Sequence, residues 1–121
     1  MKFDLEERLV NYSILILEIV DLLPTDRGGG HLAAQLVRSG TAPALQYGEA
    51  QSAESRRDFI HKMKIAAKEL RESFICLKII NKKGYLDNKE SLGRSLKESN
   101  ELISIFVKSI ETARKNLKLE E

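Results

Sequence analysis

Residues 92–117, LGRSLKESNELISIFVKSIETARKNL, carry the most regular apolar pattern in the chain. Apolar or small residues recur at alternating steps of four and three positions, the spacing of a helix that lies along the seam of a helical bundle. The seam positions are Leu92, Leu96, Ser99, Ile103, Phe106, Ile110, Ala113 and Leu117. Almost four heptads of one period predict a long helix with one buried side.

The first segment of the chain repeats this spacing. Its seam positions are Leu5, Leu9, Tyr12, Ile16, Ile19 and Leu23. They predict a helix from about Asp4 to Leu23. Pro24 and the glycines Gly28–Gly30 follow, and we interpret this stretch as a flexible turn, with a second helix beginning near His31.

Capping signals mark the starts of two further helices. Ser55 is followed three positions later by Asp58, a variant of the capping box, and Asp87 with Glu90 repeats the signal. Gly84 lies between the two helices and supplies the stop for the first of them. That third helix has its own seam at Phe59, Met63, Ala66, Leu70, Phe74 and Leu77.

The composition agrees with an all-α fold. Of the 121 residues, 42% are apolar, 6% are aromatic and two are proline, with no tryptophan. These values favour long helices over a strand-rich sandwich or barrel. The length is typical of one domain. We therefore predict a single domain over residues 1–121, an up-down antiparallel four-helix bundle with short loops.

The cysteine content and the apolar runs indicate where in the cell the protein is expected. The single Cys76 cannot form an internal disulfide, and the acidic start of the chain is unlike a secretory signal. The most apolar run, residues 14–23, is shorter than a bilayer requires and contains Glu18 and Asp21. We expect a cytoplasmic protein with no membrane span.

The net charge of +2 hides an uneven distribution. Residues 1–26 hold six acidic and two basic side chains, whereas residues 55–83 hold nine basic and three acidic ones. Such asymmetry is typical of an anion-binding face, or of two elements of opposite sign that pack near each other. The residues alone leave both interpretations open.

The first helix carries more apolar surface than a monomeric bundle needs. Val10, Ile14 and Leu17 form a second stripe away from its seam, and Leu15 and Leu22 lie on the opposite flank. A helix that is apolar nearly all round is expected to be buried nearly all round. We therefore predict a homo-oligomer with Val10, Ile14 and Leu17 at the subunit interface.

The second helix contains residues that break helices. If residues 31–51 form one helix, Gly40 and Pro43 lie on its seam face, where small residues let a neighbouring backbone approach. Pro43 also removes the hydrogen bond to the carbonyl of Ser39 and should bend the helix near Gly40–Pro43. A kinked continuous helix and a loop between two shorter helices both fit these residues.

Residues 35–73, QLVRSGTAPALQYGEAQSAESRRDFIHKMKIAAKELRES, resemble the signature of a known family. It is the bacterial four-helix-bundle protein family named for members encoded in intervening sequences of 23S ribosomal RNA genes. The matching positions are Gln35, Leu36, Arg38 to Thr41, Glu49, Ala50, Ser55, Asp58, Phe59, Lys68, Glu69 and Glu72. The chain departs from the family pattern at Ala42, at Leu45–Gln46 and at Gly48.

The resemblance has consequences for fold and function. It implies a continuous, bent second helix and assembly of the bundle into a ring, often a pentamer. The family has no established enzymatic chemistry. Similar bundles that serve as accessory proteins of diversity-generating retroelements suggest nucleic-acid or protein partners.

Four charged residues fall within the matched signature: Arg38, Glu49, Glu69 and Glu72. We hypothesise a structural ion network in which Arg38 pairs with at least one of the three carboxylates, because a partly buried guanidinium needs a charged acceptor. The alternative is that all four side chains are solvated.

The residue pattern does not indicate a catalytic site or a cofactor site. Di-iron chemistry in a bundle needs paired Glu-x-x-His motifs, and only Asp58 with His61 approximates one. The glycines Gly28–Gly30 lack the Lys-Ser/Thr of a phosphate-binding loop. Cys76 lies close to the apolar face and is interpreted as a buried thiol. We predict no metal, no cofactor and no enzymatic activity.

One face of the third helix is basic. Its members form an unbroken stripe, here named the basic stripe: Arg57, Lys64, Lys68, Arg71, Lys78 and Lys82. In a ring each subunit would repeat the stripe and build a field able to hold a phosphate backbone. No aromatic residue interleaves it, so binding should be weakly selective for sequence. Solvation, or contact with the acidic first helix of a neighbour, is the alternative.

The sequence therefore fits two functions. The first is a non-enzymatic homo-oligomer that binds RNA, DNA or a nucleic-acid-processing partner through its basic faces. The second is a purely structural or protein-adaptor oligomer in which the basic stripe is an ordinary surface.

Overall fold

The computed structural model describes residues 4–121 as four α-helices: α1 (Leu5–Leu22), α2 (Arg27–Gln51), α3 (Arg56–Lys83) and α4 (Lys89–Glu120). Each helix packs against the next along the chain, and α1 also packs against α4. The helices α1 and α3 make no such contact and lie on a diagonal of the bundle, as do α2 and α4. The prediction of an all-α, up-down four-helix bundle is confirmed.

Short polar residues cap the helix starts. The side chains of Asp4 and Ser55 accept hydrogen bonds from backbone amides three residues ahead, and the cap at Ser55 is the one that the sequence predicts. Gly84 ends α3 in the left-handed conformation, with φ 76°, which glycine adopts at little cost. The predicted Asp87 cap is wrong by one position, since Asn88 accepts the amide of Ser91.

The interpretation of Gly28–Gly30 as a turn is wrong, because these glycines form the first turn of α2. Asp26 caps the helix by accepting the Gly29 amide at 2.7 Å. A Cβ atom on Gly29 would lie 2.1 Å from the Pro24 carbonyl oxygen, and one on Gly28 would lie 2.4 Å from the Tyr85 hydroxyl. The glycines therefore permit close packing where α2 begins, at position 27 instead of 31.

The helix α2 continues through Pro43 without a loop, so the loop alternative is excluded. Gly40 lies against α1, where an added Cβ would come within 2.5 Å of the Ile16 side chain. On the same side of α2, the Ser13 hydroxyl donates to the Gly40 carbonyl at 3.1 Å. The missing side chain of Gly40 thus sets the close approach of α1 and α2. The kink at Gly40–Pro43 stays a prediction.

The core lies along the four seams. All six predicted seam residues of α1 are buried. In α4 the seam is shifted over two turns, because Ser95 and Leu102 are fully buried while the predicted Leu96 and Ile103 are half-buried. Leu117, near the end of α4, is also half-buried.

No helix within residues 4–121 has the length and hydropathy needed to cross a bilayer.

Candidate interaction surfaces

The outer face of α1 exposes three aliphatic side chains. Val10, Ile14 and Leu17 are 41%, 49% and 39% exposed. They occupy successive turns opposite the buried seam, at steps of four and three residues. We name them the α1 outer face. Contiguous apolar surface of this kind is typical of an interaction site.

All six side chains of the basic stripe are exposed. Arg57 forms an ion pair with Glu121, and the ammonium group of Lys78 lies 5.3 Å from the centre of the Phe74 ring. The other four, Lys64, Lys68, Arg71 and Lys82, form no ion pair within residues 4–121. The stripe is therefore rich in cations that have no ion-pair partner in the described part of the chain.

The basic stripe is not continuous, contrary to the sequence interpretation. Ile75 and Ile79, which are 52% and 47% exposed, lie on the same face between Arg71 and Lys82. Helical spacing places both isoleucines within one turn of these cations. This interruption could have been predicted from the sequence, because Ile75 and Ile79 are aliphatic residues at positions of the charged face.

The isoleucines belong to a groove of about 810 Å³ along α3, here named the α3 groove. The start of α2 and the second half of α4 form its sides. Apolar residues line much of it: Leu32, Ala67, Ile75, Cys76, Ile79, Val107 and Ile110. Polar and charged residues complete it: His31, Gln35, Lys64, Lys68, Arg71, Glu72, Glu111 and Arg114. This mixture suits a partner that presents both apolar and acidic groups.

Arg38 lies against two of the three predicted carboxylates. One guanidinium nitrogen, Nη1, lies 2.7 and 2.8 Å from the two carboxylate oxygens of Glu69, and Nη2 lies 3.0 Å from Glu72. Hydrogen bonding to Glu72, together with the charge of Glu69, raises the pKa of Arg38. Glu49 lies apart and pairs with Lys62 at 3.3 Å. The Arg38 side chain is 52% exposed, so burial is not the reason for this pairing.

A second intrachain ion cluster joins α1 to α4. Arg8 donates to both carboxylate oxygens of Glu98, at 2.7 and 2.8 Å, and lies 3.2 Å from Glu101. The hydrogen bond to Glu98 raises the pKa of Arg8. Sequence analysis missed this cluster because the partners are 90 and 93 residues apart. Charge type alone does not indicate which distant helices meet.

A buried polar layer crosses the bundle. The Ser99 hydroxyl donates to the Ser95 carbonyl at 2.7 Å, so the Tyr12 hydroxyl donates to Ser99 at 2.7 Å. Ser73 donates to Ser39 at 2.9 Å. Burial raises the pKa of Tyr12, and the hydroxyls of Ser99 and Ser73 oppose this effect. The layer takes at least one side chain from each helix and can fix their register.

The remaining reactive side chains do not converge. Cys76 is buried, and burial raises the pKa of its thiol, which disfavours the reactive thiolate. Both His31 and His61 are exposed. Among residues 4–121, no three His, Cys, Asp or Glu side chains lie close enough together to hold a metal ion.

These observations define an all-α bundle whose prominent surface features are an exposed apolar helix face and a groove lined by apolar and charged residues. Comparison with known proteins gives the family. The model of the family described as 23S rRNA-intervening sequence protein matches residues 4–109, and the chain belongs to this family. The resemblance found in residues 35–73 is thereby confirmed.

A solved structure supports the same conclusion. The chain is similar to a protein of unknown function from the S23 ribosomal protein family of Bacteroides thetaiotaomicron, at 25% identity and a TM-score of 0.80. The likeness covers 88% of this chain and 98% of that chain. No curated protein matches the sequence. Neither the family description nor that of the solved relative gives any sign of catalytic function.

Proposed function

We propose that this protein is a non-enzymatic, self-assembling helical bundle that acts through contacts with other macromolecules, as a structural or adaptor oligomer. The observation that carries the proposal is the exposure of Val10, Ile14 and Leu17 on three turns of one helix. Burying this surface releases water and contributes about 25 cal/mol for each Å² of apolar area, against which the entropic cost of association must be set. The family resemblance favours a ring, and a pentamer is the proposed size. The lone, buried Cys76 agrees with a cytoplasmic location.

Light scattering tests this proposal. We expect a mass that is a multiple of 13.7 kDa at micromolar concentration, with about 69 kDa for five copies. Leu17→Glu should dissociate the assembly, because the new carboxylate would be buried without a partner at the interface. The matched control is Glu18→Gln, which changes an exposed neighbour without adding a charge. A monomeric wild-type protein would contradict the proposal.

Nucleic-acid binding is a second candidate function. It is favoured by the four stripe cations that have neither an ion-pair partner nor an aromatic ring beside them among residues 4–121: Lys64, Lys68, Arg71 and Lys82. Binding to RNA or DNA should depend on length, ignore sequence and weaken steeply with salt, because each phosphate contact releases a counterion.

Charge reversal tests this candidate. Glutamate at Lys64, Lys68 and Arg71 together should abolish binding in an anisotropy titration at low salt. The matched control reverses Lys89, Arg94 and Lys97, three exposed cations of α4, and makes the same change in net charge. Equal loss in both triple variants would indicate a general charge effect, and no binding by the wild-type protein would remove this candidate.

A further inference from the structure

We infer that the α1 outer face of one copy seats in the α3 groove of a second copy, so that subunits associate head to tail. The inference rests on the proposed self-assembly and names the two surfaces that meet. Apolar pattern, charge and position in the fold all support this pairing.

The α1 outer face has an acidic residue at each end. Glu7, Val10, Ile14, Leu17 and Asp21 follow one another at steps of three and four residues, and Glu7 and Asp21 are also exposed. The sequence of groups along this ridge is acidic, apolar, acidic. At 1.5 Å per residue the ridge is about 21 Å long.

The exposed face of α3 has the opposite charge in the same arrangement. Lys64, Lys68 and Arg71 precede the exposed Ile75 and Ile79, and Lys82 follows them, so that the order is basic, apolar, basic. This face is about 27 Å long at 1.5 Å per residue. The apolar part can therefore receive Val10, Ile14 and Leu17 while both charged ends meet opposite charge.

The charged groups involved are free within the described chain. Neither Glu7 nor Asp21 takes part in an ion pair within residues 4–121, and the same holds for Lys64, Lys68 and Arg71. Complementary charges around an apolar centre set the register of an interface and speed its formation. The charge asymmetry between the start and the middle of the chain thus has a physical use.

The fold prevents a chain from filling its own groove. The backbones of α1 and α3 lie on a diagonal of the bundle and do not pack directly against each other, so their outer faces point to different sides. Each copy can therefore offer its α1 face to one neighbour and its groove to another. Repeated contacts of this heterologous type close into a ring when the rotation between copies permits it.

Pairing of two α1 outer faces is the main alternative. An antiparallel pair would place Glu7 of one copy near Asp21 of the other at both ends of the contact. Like charges placed opposite each other disfavour such an interface. The α3 groove offers cations at these positions and is the better complement.

Two double variants break one surface each. The face variant carries Ile14→Glu and Leu17→Glu, and the groove variant carries Ile75→Glu and Ile79→Glu. All four side chains are exposed, so helicity measured by circular dichroism should be retained. Each variant alone should weaken assembly by about a hundredfold, because charges would enter an apolar contact.

Mixing the two variants gives the decisive result. The face variant retains an intact groove and the groove variant retains an intact α1 face, so an equimolar mixture should form a heterodimer of about 27 kDa, twice the 13.7 kDa chain. A mixture that stays monomeric would overturn head-to-tail pairing. A groove variant that assembles like the wild-type protein would also overturn it while leaving self-assembly intact. A monomeric wild-type protein would instead refute the proposed function.

A charge variant keeps the inference testable if a glutamate substitution disturbs folding. Lys68→Glu with Arg71→Glu removes no buried apolar surface and should raise the dissociation constant of the assembly about tenfold at low salt. The effect should shrink at high salt, because counterions screen the lost attraction. An unchanged dissociation constant at low salt would contradict the inference.

Discussion

The inner and outer sides of α1 are both aliphatic, yet they differ in what covers them. Ile16 on the inner side is fully buried against α2, whereas Ile14, two positions earlier, is 49% exposed. The other helices of the same chain cover the inner side. The outer side has an apolar surface without a cover in a single copy. The comparison shows that apolar content alone does not separate residues that fold the chain from residues that assemble it.

The largest expected effect separates these two sides. Ile16→Ala should lower the free energy of unfolding by about 2–5 kcal/mol, because it leaves a cavity in a packed core. Ile14→Ala should cost less than about 1 kcal/mol in the dissociated protein and should weaken assembly. Chemical denaturation at several protein concentrations measures both effects. A loss for Ile14→Ala as large as that for Ile16→Ala in dilute protein would break the comparison.

Glycine substitutions in α2 test the close approach on the inner side. Gly40→Ala should destabilise the protein by about 1–3 kcal/mol, since the new methyl group would overlap the Ile16 side chain. Gly48→Ala has open space around the added atom and should stabilise α2 by about 0.5–1 kcal/mol. Thermal melts compare the two variants. The same sign of change at both positions would argue against steric contact at Gly40.

Tyr12→Phe tests the buried polar layer. Loss of the hydrogen bond to Ser99 should reduce the free energy of unfolding by about 0.5–1.5 kcal/mol at neutral pH. Since burial raises the pKa of Tyr12 in the folded state, its stabilising effect is full below about pH 10, the ordinary value, and falls as pH rises above that. The difference between wild type and variant should therefore shrink in alkali. A difference that grows with pH would contradict the assigned direction.

The smallest expected effect concerns Arg38. Arg38→Met should lower the melting temperature only slightly, because the guanidinium is exposed and solvent screens its attraction to Glu69 and Glu72. High salt should lower the melting temperature of the wild-type protein toward that of the variant, because salt screens the ion pairs. Melting temperatures at two salt concentrations provide the check. An unchanged melting temperature and assembly at low salt would remove any role for the pairing.

Much of the fold could be predicted because local spacing dictates it. The seam of α1 and the caps at Asp4 and Ser55 follow from short-range chemistry. The start of α2 did not, because Gly28–Gly30 have the composition of a turn, and the sequence does not show that Gly28 lies against Tyr85 and Gly29 against the Pro24 carbonyl. The start of α2 therefore depends on tertiary contacts.

The candidate surfaces were predicted in part. Helical spacing found Val10, Ile14, Leu17 and the six stripe cations, all of which are exposed in the structure. Helical spacing did not single out Ile75 and Ile79 within the stripe, because an exposed aliphatic residue recurs with the same period as a charged one. Ser73 and Ser95 of the buried polar layer were also missed, because their hydroxyl partners come from tertiary packing and from the helix backbone.

The most direct test of head-to-tail assembly is cross-linking between engineered cysteines. In a Cys76→Ser background, a chain carrying both Ile14→Cys and Ile79→Cys is treated with a short bismaleimide at a concentration where light scattering shows assembly. We predict a ladder of covalent multiples of 13.7 kDa from the double variant and no cross-linked dimer from either single variant. Dimers from Ile14→Cys alone, or no ladder from the double variant, would contradict the pairing of the α1 outer face with the α3 groove.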